Sequence, residues 1–220
     1  MPALRSFVPN HTTIKNIVFD FGGVLCDLDV KRTEKKFFEM GLKSFDADYS
    51  VAERDDLFRK LERGTLTPAQ FRDSLKKFFT RIVSDEEIDQ AWNALLIGIP
   101  EERIRLLEQI RNRYRIFLLS NSNEIHYIRF LSDFTSRFGY RDFNGLFEKA
   151  YFSFQIHLQK PGREIFEFVL NDSRLEAGET LFIDDSIQHV EGAAKTGIRG
   201  YHLKISGGER VTDLFEQDVP

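Results

Sequence analysis

A single cysteine, Cys26, stands among 220 residues, so no disulfide can form within the chain. Its place directly after an apolar, strand-like run favours a packed, inert thiol over a reactive one, and a reducing compartment is expected. Positive charge is not in excess. The 31 Lys and Arg face 35 Asp and Glu, and a formal charge of -4 offers neither a basic field for nucleic acid nor a polybasic patch for a membrane. No apolar stretch approaches the roughly 18 residues of a membrane span, and Met1 to Thr13 lack the apolar segment of a secretory signal. A cytoplasmic protein is therefore expected. Internal repeats and low-complexity segments are also missing, and the length suits one large domain or a core with a smaller insert.

What is plentiful is phenylalanine, at 22 residues, including the pairs Phe37-Phe38 and Phe78-Phe79. At helical spacing these read as core or interdomain packing rather than a cofactor box. The most informative stretch lies near the beginning, Ile14 to Asp27. A β-branched apolar run ends in Asp20, and Gly22-Gly23 then lets the backbone turn sharply. An aspartate at the tip of a central parallel strand faces the crevice where such sheets bind ligands, which makes Asp20 a candidate nucleophile. An Asx-turn between strand and loop is the plainer alternative.

After Asp27 the apolar period turns helical for about seventy residues. Helices are predicted over Val30 to Met40, Val51 to Leu61, Pro68 to Phe79 and Asp85 to Leu96, with no obvious strand. Thr67-Pro68 and Ser84 with Glu87 are good helix starts, and the run Lys31 to Lys36 reads as a solvated face. From Pro100 the pattern alternates. Strands are predicted at Arg115 to Leu119, Lys149 to Phe154, Thr180 to Ile183 and Arg199 to Leu203. Helices are predicted at Glu101 to Arg113, Glu124 to Phe138, Pro161 to Leu170 and Ile187 to Thr196, with only a weak helical signal around Thr212 to Phe215. Such alternation implies an α/β fold with a parallel sheet and right-handed crossovers.

Four strand ends carry polar groups: Asp20, then Ser120-Asn121-Ser122-Asn123, then Lys160-Pro161, then Asp184-Asp185-Ser186. In a parallel sheet they meet at one edge. Each alone has a structural explanation as a helix cap, a loop lysine or a turn, but four at corresponding ends are an improbable coincidence. Chemically, carboxylates crowded together call for a hard divalent cation such as Mg2+, and a hydroxyl, amides and a lysine make a cradle for a phosphoryl group.

With these residues the sequence resembles the haloacid dehalogenase (HAD) superfamily. Phe19-Asp20-Phe21-Gly22-Gly23-Val24-Leu25, Leu118-Leu119-Ser120-Asn121, Gln159-Lys160-Pro161 and Phe182-Ile183-Asp184-Asp185-Ser186 are similar to its four motifs, in order. The resemblance implies a Rossmann-like core over 1–28 and 99–220 and a helical C1 cap over 29–98. It also implies a Mg2+-dependent phosphatase acting on a small phosphorylated metabolite through an aspartyl-phosphate. By the same resemblance Asp20 is the nucleophile and a metal ligand, with Gly22 (through its carbonyl), Asp185 and Asp184 as further ligands. Ser120, Asn121 and Lys160 would hold phosphate. Asp27-Leu28-Asp29, Glu62-Arg63-Gly64 and Phe71 are similar to the glucose 1-phosphate phosphatase-like subgroup, and Glu62-Arg63-Gly64 is a candidate cap segment for reaching the site.

The family's pattern is broken at one place. Gly22 stands where most of its phosphatases carry a second aspartate as general acid and base, a loss worth a hundred- to ten-thousandfold for a poor leaving group. An acidic leaving group, or a carboxylate or imidazole from elsewhere, would compensate, with Asp27 and His157 as conceivable substitutes. A phosphate-binding regulatory protein and a phosphomutase are the alternative functions. His189 and His157 also depart from the usual residues, and His11, His126 and His202 show no metal-ligand spacing.

Overall fold

The computed structural model describes residues 13–42 and 51–215, the side chains of 51–55 excepted; His11 and the stretches 1–12, 43–50 and 216–220 of the expected domain ranges lie outside the described residues. Five parallel strands form the central sheet in the order β5-β4-β1-β6-β7. They are β1 (Asn16–Phe19), β4 (Arg115–Ser120), β5 (Lys149–Phe152), β6 (Thr180–Asp184) and β7 (Arg199–His202). Burial on both faces explains why these segments read as continuous apolar runs. Ile17, Phe19, Ile116, Leu118, Leu181 and Ile183 pack into the core on one face. Their neighbours Val18, Phe117, Leu119 and Phe182 point to the other.

The crossovers are α5 (Glu101–Ile110), α6 (Glu124–Phe138), α8 (Arg163–Asp172) and α9 (Ile187–Ala194), with one short turn of helix, α7 (Ser153–Ile156), after β5. The third strand accordingly stops at Phe152 rather than Phe154. Helix α8 begins at Arg163, because Lys160 and Pro161 belong to the loop that enters the site. A 3-10 turn over Val211–Phe215 replaces the weak terminal helix.

Between β1 and α5 lies the insert, with α1 (Val30–Glu39), α2 (Val51–Glu62), α3 (Pro68–Lys76) and α4 (Asp85–Trp92). Capping boxes at Thr67 with Gln70 and at Ser84 with Glu87 start α3 and α4. The insert has its own apolar cluster, in which Phe37, Leu61, Phe71, Leu75, Phe79 and Trp92 meet Ile125 from α6. Phe38, by contrast, is 79% exposed. A successive residue on a helix points about 100° away, so the Phe37-Phe38 pair cannot bury both rings on one stripe.

The insert is not entirely helical. Strands β2 (Asp27–Leu28) and β3 (Leu96–Gly98) pair antiparallel at its two ends, and α4 gives way to a 3-10 turn over Asn93–Leu95. Strands of two and three residues are too short for a period of two to register, so sequence periodicity passes over them. Arg103 of α5 fastens this ribbon to the core with an ion pair to Asp27 Oδ1 at 2.7 Å.

Candidate active site

Register brings the polar strand ends together. Phe19 lies opposite Leu118 in β4 and Ile183 in β6, so Asp20 emerges between Leu119 and Asp184. The chain order reverses about β1 and β6, the point at which parallel sheets open a crevice. Lys160 fills the gap. Its Nζ, completely buried, donates to Asp20 Oδ1 at 2.5 Å, to Asp184 Oδ2 at 2.7 Å and to the Leu119 carbonyl at 2.9 Å. All three ammonium donors are thereby used. Phe182 lies beneath it, with the ammonium 5.2 Å from the ring centre.

Asp184 is the better served of the two carboxylates. It also accepts from the Ser186 N–H at 2.8 Å and lies 3.0 Å from His189 Nδ1. The electrostatics follow from this inequality. Burial would raise the Asp184 carboxyl, but Lys160 and His189 outweigh it and hold it below the ordinary range. For Asp20 burial prevails over Lys160, and Asp184 and Asp185 push in the same direction, so this carboxyl is raised. Burial and then Asp184 raise Asp185 as well. Lys160 is depressed by burial, yet the two aspartates more than restore it, and it stays charged.

Oxygens of Asp20, Asp184 and Asp185 lie within 4.8 Å of one another, a hard donor set with one lysine for compensation. Gly23 makes this approach possible. Its φ is +75°, and a Cβ there would stand 2.5 Å from Asp185 Oδ2. Such self-repelling carboxylates suit a divalent cation.

Ser120 is buried at the end of β4, and among the described residues its hydroxyl makes only a long contact of 3.4 Å to the Asn121 carbonyl, which leaves it able to meet an anion. The Asn121 side chain is committed elsewhere: it donates to the Lys160 carbonyl at 2.9 Å and accepts from the Lys160 N–H at 3.0 Å. It therefore fixes the lysine loop, and both ends of its amide are engaged there.

The position two residues after Asp20 is closed by a neighbour. A Cβ on Gly22 would lie 2.7 Å from Leu28 Cδ1, so an apolar group of the β2 ribbon fills the place beside it. The two substitutes considered for the missing acid are both engaged. Asp27 is held by Arg103, and His157 Nδ1 meets the Arg63 carbonyl at 2.8 Å.

Over the crevice stands Glu62, the last residue of α2. It lines a cleft of about 450 Å³ together with Phe58, Arg59, Asn121, Gln159, Lys160 and His189. Its backbone carbonyl accepts from the Ser153 hydroxyl at 2.6 Å, and its Oε2 accepts from Gln159 Nε2. Burial raises its carboxyl, with Gln159, His189 and Lys160 pulling the other way. Sequence reasoning reached the segment but not the residue. The Glu62–Gln159 contact joins positions 97 apart, and no local pattern carries that information.

A parallel α/β enzyme with its reactive groups at the carboxyl ends of the strands is the class that this fold and site define. Within it, the chain belongs to the haloacid dehalogenase-like hydrolase family, whose model matches residues 14–197. It is 32% identical over 188 residues to D-ribitol-5-phosphate phosphatase of Bacteroides thetaiotaomicron, which spans 86% of this chain and 91% of that protein. The crystal structure of HAD family enzyme BT-2542 from the same organism has a TM-score of 0.83 at 37% identity, covering 92% of this chain and 98% of that one. That enzyme has also been solved with magnesium and inorganic phosphate. A HAD-like family hydrolase of Porphyromonas gingivalis is 30% identical with a TM-score of 0.76, over 86% of this chain and 91% of that one.

Proposed function

We propose that this protein is a Mg2+-dependent phosphatase of a small sugar or polyol phosphate, working through an aspartyl-phosphate on Asp20. The observation that carries the reading is the buried Asp20–Lys160–Asp184 chain with Asp185 beside it. The phosphatase activity of the Bacteroides relative and the magnesium and phosphate in BT-2542 support it.

In this reading Asp20, Asp184, Asp185 and the Gly22 carbonyl hold Mg2+. Bound there, the cation neutralises the carboxylates and polarises a phosphoryl oxygen. Asp20 attacks phosphorus in line, the Ser120 hydroxyl and the Asn121 backbone hold the equatorial oxygens whose charge grows in the transition state, and Lys160, its three donors engaged, adds positive charge beside them. Residues 29–98 act as a cap over a core formed by 1–28 and 99–220, turning on the β2/β3 ribbon. A reducing cytoplasmic setting fits the single buried cysteine, and the net charge of -4 favours a metabolite over nucleic acid.

Phosphate release from a panel of phosphorylated metabolites and an aryl phosphate, with and without Mg2+, tests the reading. Metal-dependent turnover that disappears in Asp20→Asn is the expected result. A second reading, phosphate binding without turnover, draws on Gly22 and the Leu28 side chain beside it. Phosphate-dependent thermal stabilisation with no release from any ester, the aryl one included, would establish that reading instead.

A further inference from the structure

The site as described has a nucleophile and an anion cradle but no proton donor beside the nucleophile. Gly22 offers none, and the space next to it holds Leu28 Cδ1. Asp27 is paired with Arg103 on the ribbon. His189 faces the crevice, but its Nδ1 lies 3.0 Å from both Asp184 oxygens, which ties the ring to a carboxylate of the acidic cluster. Arg59 and Lys160 also line the cleft, and both are basic side chains.

We propose that Glu62 is the general acid and base of this enzyme, delivered from the insert to the leaving oxygen of the ester. Among the described residues lining the cleft it carries the one carboxyl. Its placement is built rather than incidental. The core fixes it at two points, Ser153 on its backbone carbonyl and Gln159 on Oε2, and no hydrogen bond from the described residues takes Oε1. A carboxyl so held presents one oxygen to the ligand. Burial, which raises this carboxyl, keeps a protonated fraction available nearer neutrality than an exposed glutamate would.

The inference rests on the phosphatase reading above, and its steps balance. As an Asp20 oxygen bonds to phosphorus, the bond from phosphorus to the ester oxygen breaks with its electron pair going to that oxygen. The oxygen takes the proton of Glu62, and the alcohol leaves. Glu62, now a carboxylate, accepts a proton from the water that attacks the aspartyl-phosphate. The phosphorus–Asp20 bond breaks, phosphate is released, and Glu62 is again protonated. Because Glu62 belongs to the insert, acid catalysis is present only while the insert covers the crevice.

The test compares parent and Glu62→Gln, each full-length and with Mg2+, on esters of graded leaving-group acidity from glycerol phosphate to 4-nitrophenyl phosphate. A proton donor matters most for the alkyl ester. Glu62→Gln should lose on the order of a hundredfold or more in kcat on glycerol phosphate, but less than tenfold in the pre-steady-state burst of nitrophenol. The alkaline limb of the parent's kcat/KM profile on the alkyl ester should vanish with it. Glu62→Asp, which keeps an acid one methylene shorter, should regain part of the alkyl rate. An equal loss on both esters, a change confined to KM, or no loss on the alkyl ester would overturn the inference while leaving the phosphatase reading intact. Absence of Mg2+-dependent turnover in the parent, even of the aryl ester, would sink that reading and with it the role of Glu62.

Discussion

Lys160 holds two buried carboxylates that would otherwise face each other unopposed. Removing one member of such a buried ionic group leaves uncompensated charge and costs about 3–5 kcal/mol. Lys160→Met should therefore be inactive and, in metal-free buffer, markedly less stable than the parent. Mg2+ should return much of that loss, since it supplies the missing positive charge. Thermal denaturation with and without Mg2+ checks this, and a larger metal-induced rise in Tm for the variant than for the parent is the expected outcome. At this scale the sequence was readable wherever a polar residue ended an apolar run, as Asp20, Ser120 and Asp184 do. It was silent on groups whose neighbours come from far along the chain. Nothing local marks Leu28 as the side chain beside Gly22, or assigns the Asn121 amide to the backbone of Lys160.

Helix α6 joins core and insert through its first turn. Ile125 enters the apolar cluster of the insert, and His126 stacks on Trp92 of α4 with ring centres 5.2 Å apart and planes 7° from parallel. Beyond the indole, His126 Nδ1 lies 2.9 Å from Asn93 Oδ1. Burial holds this imidazole neutral, down to about 3 from an ordinary 6.5. The unfolded chain thus takes up a proton that the native state refuses. Stability from this group is complete above pH 6.5 and is lost as pH falls below it, by up to about 1.4 kcal/mol per unit. Between pH 7.5 and 5.0 the parent should lose roughly 2 kcal/mol more than His126→Phe, which keeps the stack without the titration. Urea unfolding at the two pH values measures it, and equal losses would refute it. Helices and parallel strands of this size were legible because each repeats its apolar period several times. The β2/β3 ribbon was not, although it pairs the two chain segments that lead into and out of the insert.

For the whole molecule, the decisive seam runs between α2 and the segment Ser153 to Gln159. Gly64 lies within it at φ +65°, where a Cβ would stand 2.2 Å from the Phe154 carbonyl oxygen. Gly64→Ala should force the seam apart and misplace Glu62. An ångström-scale displacement of a reacting group is enough to cost tenfold or more in kcat/KM. Amide exchange should quicken at 62–64 and 153–159 while the β1 amides keep their protection; unchanged exchange at the seam would count against the proposed cap. The Trp92–His126 stack, which joins the insert to α6, carries an optical consequence. Trp92 is the one tryptophan in the sequence, it is 9% exposed, and its indole N–H finds no partner among the described residues. Its emission should be blue-shifted while the insert is seated, and should redden and change in intensity as the indole separates from the His126 ring. Intrinsic fluorescence therefore reports any separation of the insert from α6, and emission unchanged by Mg2+ and phosphate would count against movement of the proposed cap.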